Sequence, residues 1–390
     1  MNKTEPLQVG FLTTYPPRAC GIATFTQDLV GELKKEPELC TRVIAVTDRP
    51  LDYGADVRME LKQFDRADYA AAAQRINRSD IDVLVVEHEY GIYGGECGAY
   101  LLDLVDGVKK PVVTTFHTVL PSPNPTQRMI LKRLCAASEK VVTMAQNSSR
   151  VLEDVYAADP AKIEVIHHGV PDLHLPGRDT LKRELGLEGR TIVSTFGLLS
   201  PGKGLEYGIE AVARVAAAHP EVLYLILGQT HPVVRRQSGE AYRENLERLV
   251  RKLHVESNVR FVNRYLTKAE IIRYLNLSDI YMTPYLGRDQ AVSGTLAYAV
   301  GYGKVIVSTP YSYAKEMLAD GRGLLADFKD PQALAECLNA VIESPEAKAR
   351  MEQKTRLLGR QMKWPMVAAA YKRVFFAAHR ACMASERVAV

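Results

Sequence analysis

Thr191-Ile-Val-Ser-Thr-Phe196 runs into Gly197-Leu-Leu-Ser-Pro-Gly-Lys-Gly204 and then into Leu205-Glu-Tyr-Gly-Ile-Glu-Ala-Val-Ala-Arg-Val-Ala-Ala-Ala218. The short, nearly apolar run bounded by glycine reads as a buried strand. Leu205, Ile209, Val212, Ala213 and Ala216 return at helical spacing, so a helix begins at Leu205 with its N-terminus toward the turn. Strand, glycine turn and helix in that order form one step of a parallel α/β sheet.

The turn reads as a phosphate cradle in which free amides and the Lys203 ammonium converge. Gly197, Gly202 and Lys203 match G-x-x-x-x-G-K, but Gly204 stands where a P-loop has the hydroxyl that holds magnesium. The spelling therefore points to a diphosphate bound without obligatory metal. A plain glycine turn with a solvated lysine is the alternative on spacing alone.

The same rhythm extends both ways. Apolar runs at Leu7–Leu12, Val43–Val46, Ile81–Val86, Val112–Thr115, Val141–Met144 and Ile163–Ile166 alternate with helical stretches such as Ala23–Lys35 and Gln127–Ala137. Beyond the cradle come Val222–Leu227, Arg260–Val262, Ile280–Thr283 and Val305–Ser308. The pattern predicts two doubly wound parallel sheets, with a linker at Pro171–Arg178 and a ligand cleft between the domains. A final helix over Met366–Met383 follows a break at Trp364-Pro365. A length of 390 residues suits two domains. A net charge of +4 is too weak to argue for nucleic acid, and 47% hydrophobic residues are ordinary for a soluble chain. The amino-terminal apolar run is too short for a signal peptide or a span, which makes the cytoplasm the expected location, with peripheral membrane contact left open. Six scattered cysteines without C-x-x-C spacing read as reduced thiols rather than zinc ligands or disulfides.

In such sheets chemistry gathers just past the strands. Tyr15-Pro-Pro-Arg-Ala-Cys-Gly21 is a proline turn whose glycine opens a helix, a second anion cradle or a bland tight turn. Glu87-His-Glu-Tyr-Gly-Ile-Tyr-Gly-Gly95 places Glu87, Glu89, Tyr90, Gly94 and Gly95 at one strand end. Alternation would send Glu87 and His88 to opposite faces, which argues against a metal there. His117 follows Val112–Thr115, and His231 follows Val222–Leu227. Asp80-Ile-Asp82 has a D-x-D form but lies at the wrong edge. Asp289, Gln290 and Tyr298 can bond hydroxyls, and Ser293 or Thr295, flanking Gly294, can cap a helix whose amides offer a third anion site.

Together these residues resemble the retaining glycosyltransferases of family 4, which have the GT-B fold of two facing Rossmann-like domains. The resemblance spans nearly the whole chain and rests on the turn ending at Gly21, Thr115-Phe-His117, Gly197–Gly204 and Pro284–Pro310. It implies an acceptor domain over 1–172, a nucleotide-sugar donor domain over 173–365, and a helix over 366–390 that packs back on the first domain. It further implies that Lys203 binds the donor diphosphate, that Gly21 approaches it, and that His117 lies against the donor sugar. No cofactor is implied beyond the substrate nucleoside-diphosphate sugar, and no metal. The acceptor would be a saccharide or lipid-linked hydroxyl, and the sugar a hexose, with mannose or glucose favoured. The chain departs from the family pattern in three places: Leu198 replaces an arginine, while Gln290 and Tyr298 fall where two glutamates are usual. Asp289 and Glu316 are the nearby carboxylates. These departures mark a variant subgroup, and they keep three other readings in view: a phosphorylase or epimerase of the same fold, a silent sugar-nucleotide-binding subunit and, more remotely, a P-loop hydrolase.

Overall fold

The structure, a computed structural model, describes residues 5–18 and 20–388, with side chains to residue 384. Ala19, inside the proline turn, and the end of the expected 366–390 helix lie outside the described residues. The chain divides into two compact units, Met1–Gly169 with Trp364–Val390, and Val170–Lys363.

Unit 1 is built on seven parallel strands: β1 (Leu7–Thr13), β2 (Leu39–Thr47), β3 (Val57–Lys62), β4 (Val83–His88), β5 (Val112–Phe116), β6 (Lys140–Thr143) and β7 (Ile163–Val165), in the order β3-β2-β1-β4-β5-β6-β7. Side chains alternate across the sheet. Leu12 and Val86 join Tyr69, Leu104, Ile130 and Leu152 in one core, contributed by helices Arg66–Arg78, Leu101–Gly107, Pro125–Ala137 and Gln146–Tyr156. Neighbouring Phe11 points to the opposite face, where helices Gly21–Leu33 and Trp364–Val388 pack and its ring meets Phe375 edge-on at 5.9 Å.

Unit 2 has six parallel strands: β8 (Thr191–Phe196), β9 (Val222–Leu227), β10 (Val259–Val262), β11 (Ile280–Thr283), β12 (Val305–Ser308) and β13 (Leu324–Leu325), in the order β10-β9-β8-β11-β12-β13. Each half is thus the doubly wound parallel layer that the sequence predicts. At the amino edge of this sheet, Asp279 accepts from Lys182 (2.6 Å), Lys348 (2.8 Å) and the Ile192 amide (2.8 Å). Burial pushes its pKa up, but the two ammonium groups hold the carboxyl below its usual range.

Three sequence expectations are corrected. Strand β3 was not expected: its pattern Val-Arg-Met-Glu-Leu-Lys is that of an edge strand with one wet face. Strand β4 does not stop at Val86 but carries Glu87 and His88 as its last residues, both fully buried. Trp364-Pro365 is no break; it is the first turn of the last helix, where proline's missing N–H costs nothing. Asp80 and Asp82 serve the fold, pairing with Arg42 and accepting from the Gln8 amide at 2.9 Å.

Candidate active site

In unit 1 the carboxyl ends of β4 and β5 bring Glu87 and His117 together. The strand ladder continues one step past β5 through His117 N–H to the His88 carbonyl (3.0 Å), which fixes where the imidazole starts. Its Nε2 then lies 2.7 Å from Glu87 Oε2, and Phe25 meets the ring edge-on at 4.9 Å. Glu87 is wholly buried and His117 only 9% exposed, so the pair is screened from water on most sides. Tyr93 donates to the Glu87 carbonyl (2.9 Å) and bridges to the Leu12 carbonyl (3.2 Å), locking the end of β4. Beyond it, Thr118 donates to Glu89.

His88 points the other way, into an aromatic cage of Tyr90, Tyr93 and Phe116, and neither of its ring nitrogens has a hydrogen-bond partner. Burial, with the electrostatic influence of the neighbouring His117 second, pushes its pKa down to about 3. His168 lies against Phe25 with its Nδ1 2.8 Å from the Gly169 carbonyl, and burial pushes it down to about 4. Both are neutral packing groups. Tyr90 is likewise buried, and Gly94 and Gly95 lie so close to the Gln63 carbonyl and the Tyr100 ring that a side chain would collide with them. Gly21, the first residue of its helix, has open space where a Cβ would stand.

In unit 2 the turns after β8 and β9 are stitched together. Leu199 N–H donates to the Gln229 carbonyl and His231 N–H to the Leu199 carbonyl, both at 2.9 Å. The turns touch at Gly228, where a Cβ would come within 2.1 Å of the Gly197 carbonyl oxygen. His231 itself caps helix Pro232–Ser238 through its Nδ1. Gly204 takes φ +58° with the Pro284 carbonyl 2.2 Å from its missing Cβ, and Leu286 N–H donates to the Gly202 carbonyl at 3.0 Å. The loop after β11 thus clamps the cradle and sets Lys203 Nζ over the Tyr285 ring at 3.8 Å from its centroid.

The Tyr285 hydroxyl lies 2.8 Å from Thr295 Oγ1, which is 3.1 Å from Ser293 Oγ. Ser293 caps helix Gly294–Gly301 by accepting from Leu296 N–H. Within the described chain the Gly294 and Thr295 amides donate no hydrogen bond, so two free donors stand beside the Lys203 platform. The other helix start is less open than expected. Leu205 N–H donates to the Tyr242 hydroxyl (3.3 Å), which donates to Glu206 (2.7 Å), placing a carboxylate in the first turn. Of the two, the lysine and not that helix start carries uncommitted donors.

Asp289 is exposed, while the Gln290 amide folds back on the Val292 carbonyl (3.0 Å). The Tyr298 ring packs edge-on against Phe196 at 6.1 Å, and the Glu316 carbonyl accepts from Arg322 (2.8 Å). Gln290 thus presents an amide committed to its own loop, and Tyr298 an aromatic ring packed on the end of β8. Sequence reasoning missed Tyr285, Phe25 and Thr118; the first stands two residues past β11, where its place at a strand end was the available signal.

Comparison with known proteins fits this geometry. Residues 21–172 match the model for Glycosyltransferase Family 4, and residues 177–358 match that for Glycosyl transferases group 1. The chain is a glycosyltransferase of the GT-B type, and between them the two matches take in most of its length. It is 27% identical over 323 residues to the D-inositol 3-phosphate glycosyltransferase of a Nocardioides species, covering 77% of this chain and 67% of that one. The enzyme of the same name from Corynebacterium glutamicum is 26% identical over 300 residues, covering 72% and 69%. Among solved structures, sucrose-phosphate synthase from Thermosynechococcus elongatus superposes with a TM-score of 0.78 at 16% identity, covering 96% of this chain and all of that one. The Anabaena protein HepE in complex with UDP-glucose gives 0.71 at 16% identity, covering 94% and 98%. Among the described residues no helix is long and apolar enough to cross a membrane.

Proposed function

We propose that this chain transfers a hexosyl unit from a nucleoside-diphosphate sugar to a hydroxyl of a saccharide or lipid-linked acceptor, with retention of anomeric configuration. The observation that carries the proposal is the Lys203 ammonium, which makes no ion pair among the described residues and rests on the Tyr285 ring beside the free Gly294 and Thr295 amides. A cation with no carboxylate partner, next to two uncommitted N–H donors, suits a dianion whose charge grows as it leaves. The relatives' name supports glycosyl transfer, and the UDP-glucose held by HepE supports a nucleotide sugar as donor.

In this proposal the bond between C1 of the sugar and the β-phosphate oxygen breaks as the acceptor oxygen bonds C1 on the same face. The acceptor proton passes to the departing phosphate oxygen. Lys203 and the two amides carry the leaving-group charge, so activity persists in EDTA. His117, held by Glu87, is the unit 1 group assigned to the sugar.

The test is release of nucleoside diphosphate from UDP-glucose and GDP-mannose in the presence of saccharide acceptors, with the anomeric configuration of the product read by NMR. Lys203→Ala is expected to cost about 2 to 4 kcal/mol in transition-state stabilisation. Undiminished turnover in that variant, or an inverted product, would overturn the proposal.

A further inference from the structure

At the carboxyl ends of β2 and β3, unit 1 holds a cavity of about 780 Å³ whose lining includes Asp48, Arg49, Glu60, Lys62, Gln63 and Phe64. Its volume lies in the range of small-molecule sites, and its place outside the carboxyl ends of parallel strands is where such sheets bind ligands. Of the residues named at the candidate active site, only Gln63, whose carbonyl crowds Gly94, lines it.

Three observations define its chemistry. The Phe64 ring is 70% exposed, an apolar face with no packing role to account for it. The side chains of Asp48, Arg49, Glu60 and Lys62 make no hydrogen bond or ion pair within the described chain, leaving both donors and acceptors uncommitted. Arg75, a further cation of the lining, is already paired with Asp68 at 3.0 Å. Free positive charge is therefore matched by free carboxylate, and the site lacks the surplus of cations that a phosphorylated ligand calls for. An aromatic face ringed by balanced donors and acceptors fits a neutral, polyhydroxylated ring, with its C–H face on Phe64 and its hydroxyls on the carboxylates.

The cavity is also tied to the candidate site of the same unit. Gln63, 4% exposed, accepts from Arg18 Nη2 at 2.9 Å and donates to the Gly91 carbonyl at 3.2 Å. Arg18 belongs to the proline turn after β1, and Gly91 to the loop that follows Glu87 and Glu89. One buried amide thus joins the wall of the cavity to both loops.

We infer that this cavity is a saccharide subsite that holds neutral sugar units of the acceptor away from the hydroxyl that reacts, so that the acceptor is a glycan of two or more residues and not a small phosphorylated polyol. The inference rests on the transferase proposal above for the meaning of acceptor, but binding itself needs no donor. The test is an array of neutral, phosphorylated and sulfated glycans probed with the full chain and with Phe64→Ala and Phe64→Trp, each variant first shown to keep the wild-type melting temperature. The expected result is retention confined to neutral glycans of two or more residues, at least tenfold weaker in Phe64→Ala and restored in Phe64→Trp. Retention of phosphorylated glycans alone, no retention of any neutral glycan, or binding indifferent to Phe64→Ala would each overturn it. Release of nucleoside diphosphate, measured separately on the wild-type protein, decides the transferase proposal and leaves the array result standing.

Discussion

Glu87 Oε2 and His117 Nε2 lie 2.7 Å apart, with the carboxylate wholly buried and its second oxygen, Oε1, without a partner. With the Glu87 oxygen accepting, the imidazole donates from Nε2, and residue 87 orients the ring. Glu87→Ala should therefore misplace His117 and lower kcat/KM by about 1.5 to 3 kcal/mol, the scale of a hydrogen bond to a charged group. Glu87→Gln keeps an acceptor and should retain most activity. Steady-state kinetics on the two variants, with melting temperatures as controls, decide the matter. Equal losses in both would mean that charge, not orientation, is what Glu87 supplies.

The buried histidines predict acid lability. His88, pushed down to about 3, and His168, pushed down to about 4, stay neutral in the folded chain while the unfolded chain protonates near pH 6.5. Their folded pKa values are depressed, so the unfolded state binds more protons as pH falls below 6.5 and stability drops. The slope is about 1.4 kcal/mol per pH unit for each histidine, continuing to about pH 4 for His168 and about pH 3 for His88, with no contribution above pH 7. His88→Phe removes two unpartnered nitrogens from an aromatic cage and should flatten this dependence. Urea midpoints of both proteins at pH 7.5, 6 and 5 provide the check, and parallel curves would refute it.

Tyr285 should act through its ring more than through its hydroxyl. A cation over an aromatic face is worth about 0.5 to 2 kcal/mol, and the Tyr285 ring also stacks on Tyr311 at 5.6 Å between centroids. Tyr285→Leu is expected to weaken binding of UDP or GDP several-fold by calorimetry. Tyr285→Phe loses only the contact with Thr295 and should bind nearly as tightly as the wild type. Wild-type affinity in Tyr285→Leu would remove the ring from the site.

What was legible in the sequence follows burial. Strands β8, β9, β11 and β12 are largely apolar runs covered on both faces, and their limits can be read directly from composition. Strand β3 escapes that reading because its exposed positions are charged, and β13 because it has only two residues. Glu87 and His88 look like loop residues because they are polar. Only the fold shows that one is buried against His117 and the other against aromatic rings. The Lys203 cradle was visible as spacing, but its partners were not: Tyr285 lies 82 positions further along the chain, and Tyr242, which takes up the Leu205 amide, 37. Pairings at that distance are products of topology, and no local pattern announces them.

The cradle's glycines separate fold from ligand. At Gly228, φ is +135° and a Cβ would lie 2.1 Å from the Gly197 carbonyl oxygen, so Gly228→Ala should destabilise unit 2 by at least about 2 kcal/mol through strain and collision. At Gly202 nothing lies within 4 Å of the added carbon. Gly202→Ala should therefore leave stability within about 0.5 kcal/mol of wild type. If the backbone there approaches a diphosphate, the same methyl group should weaken UDP or GDP binding without weakening the fold. Thermal melts and calorimetry on the two variants separate the cases: lost affinity with an unchanged melting temperature in Gly202→Ala places the phosphate at this turn, whereas unchanged affinity moves it elsewhere.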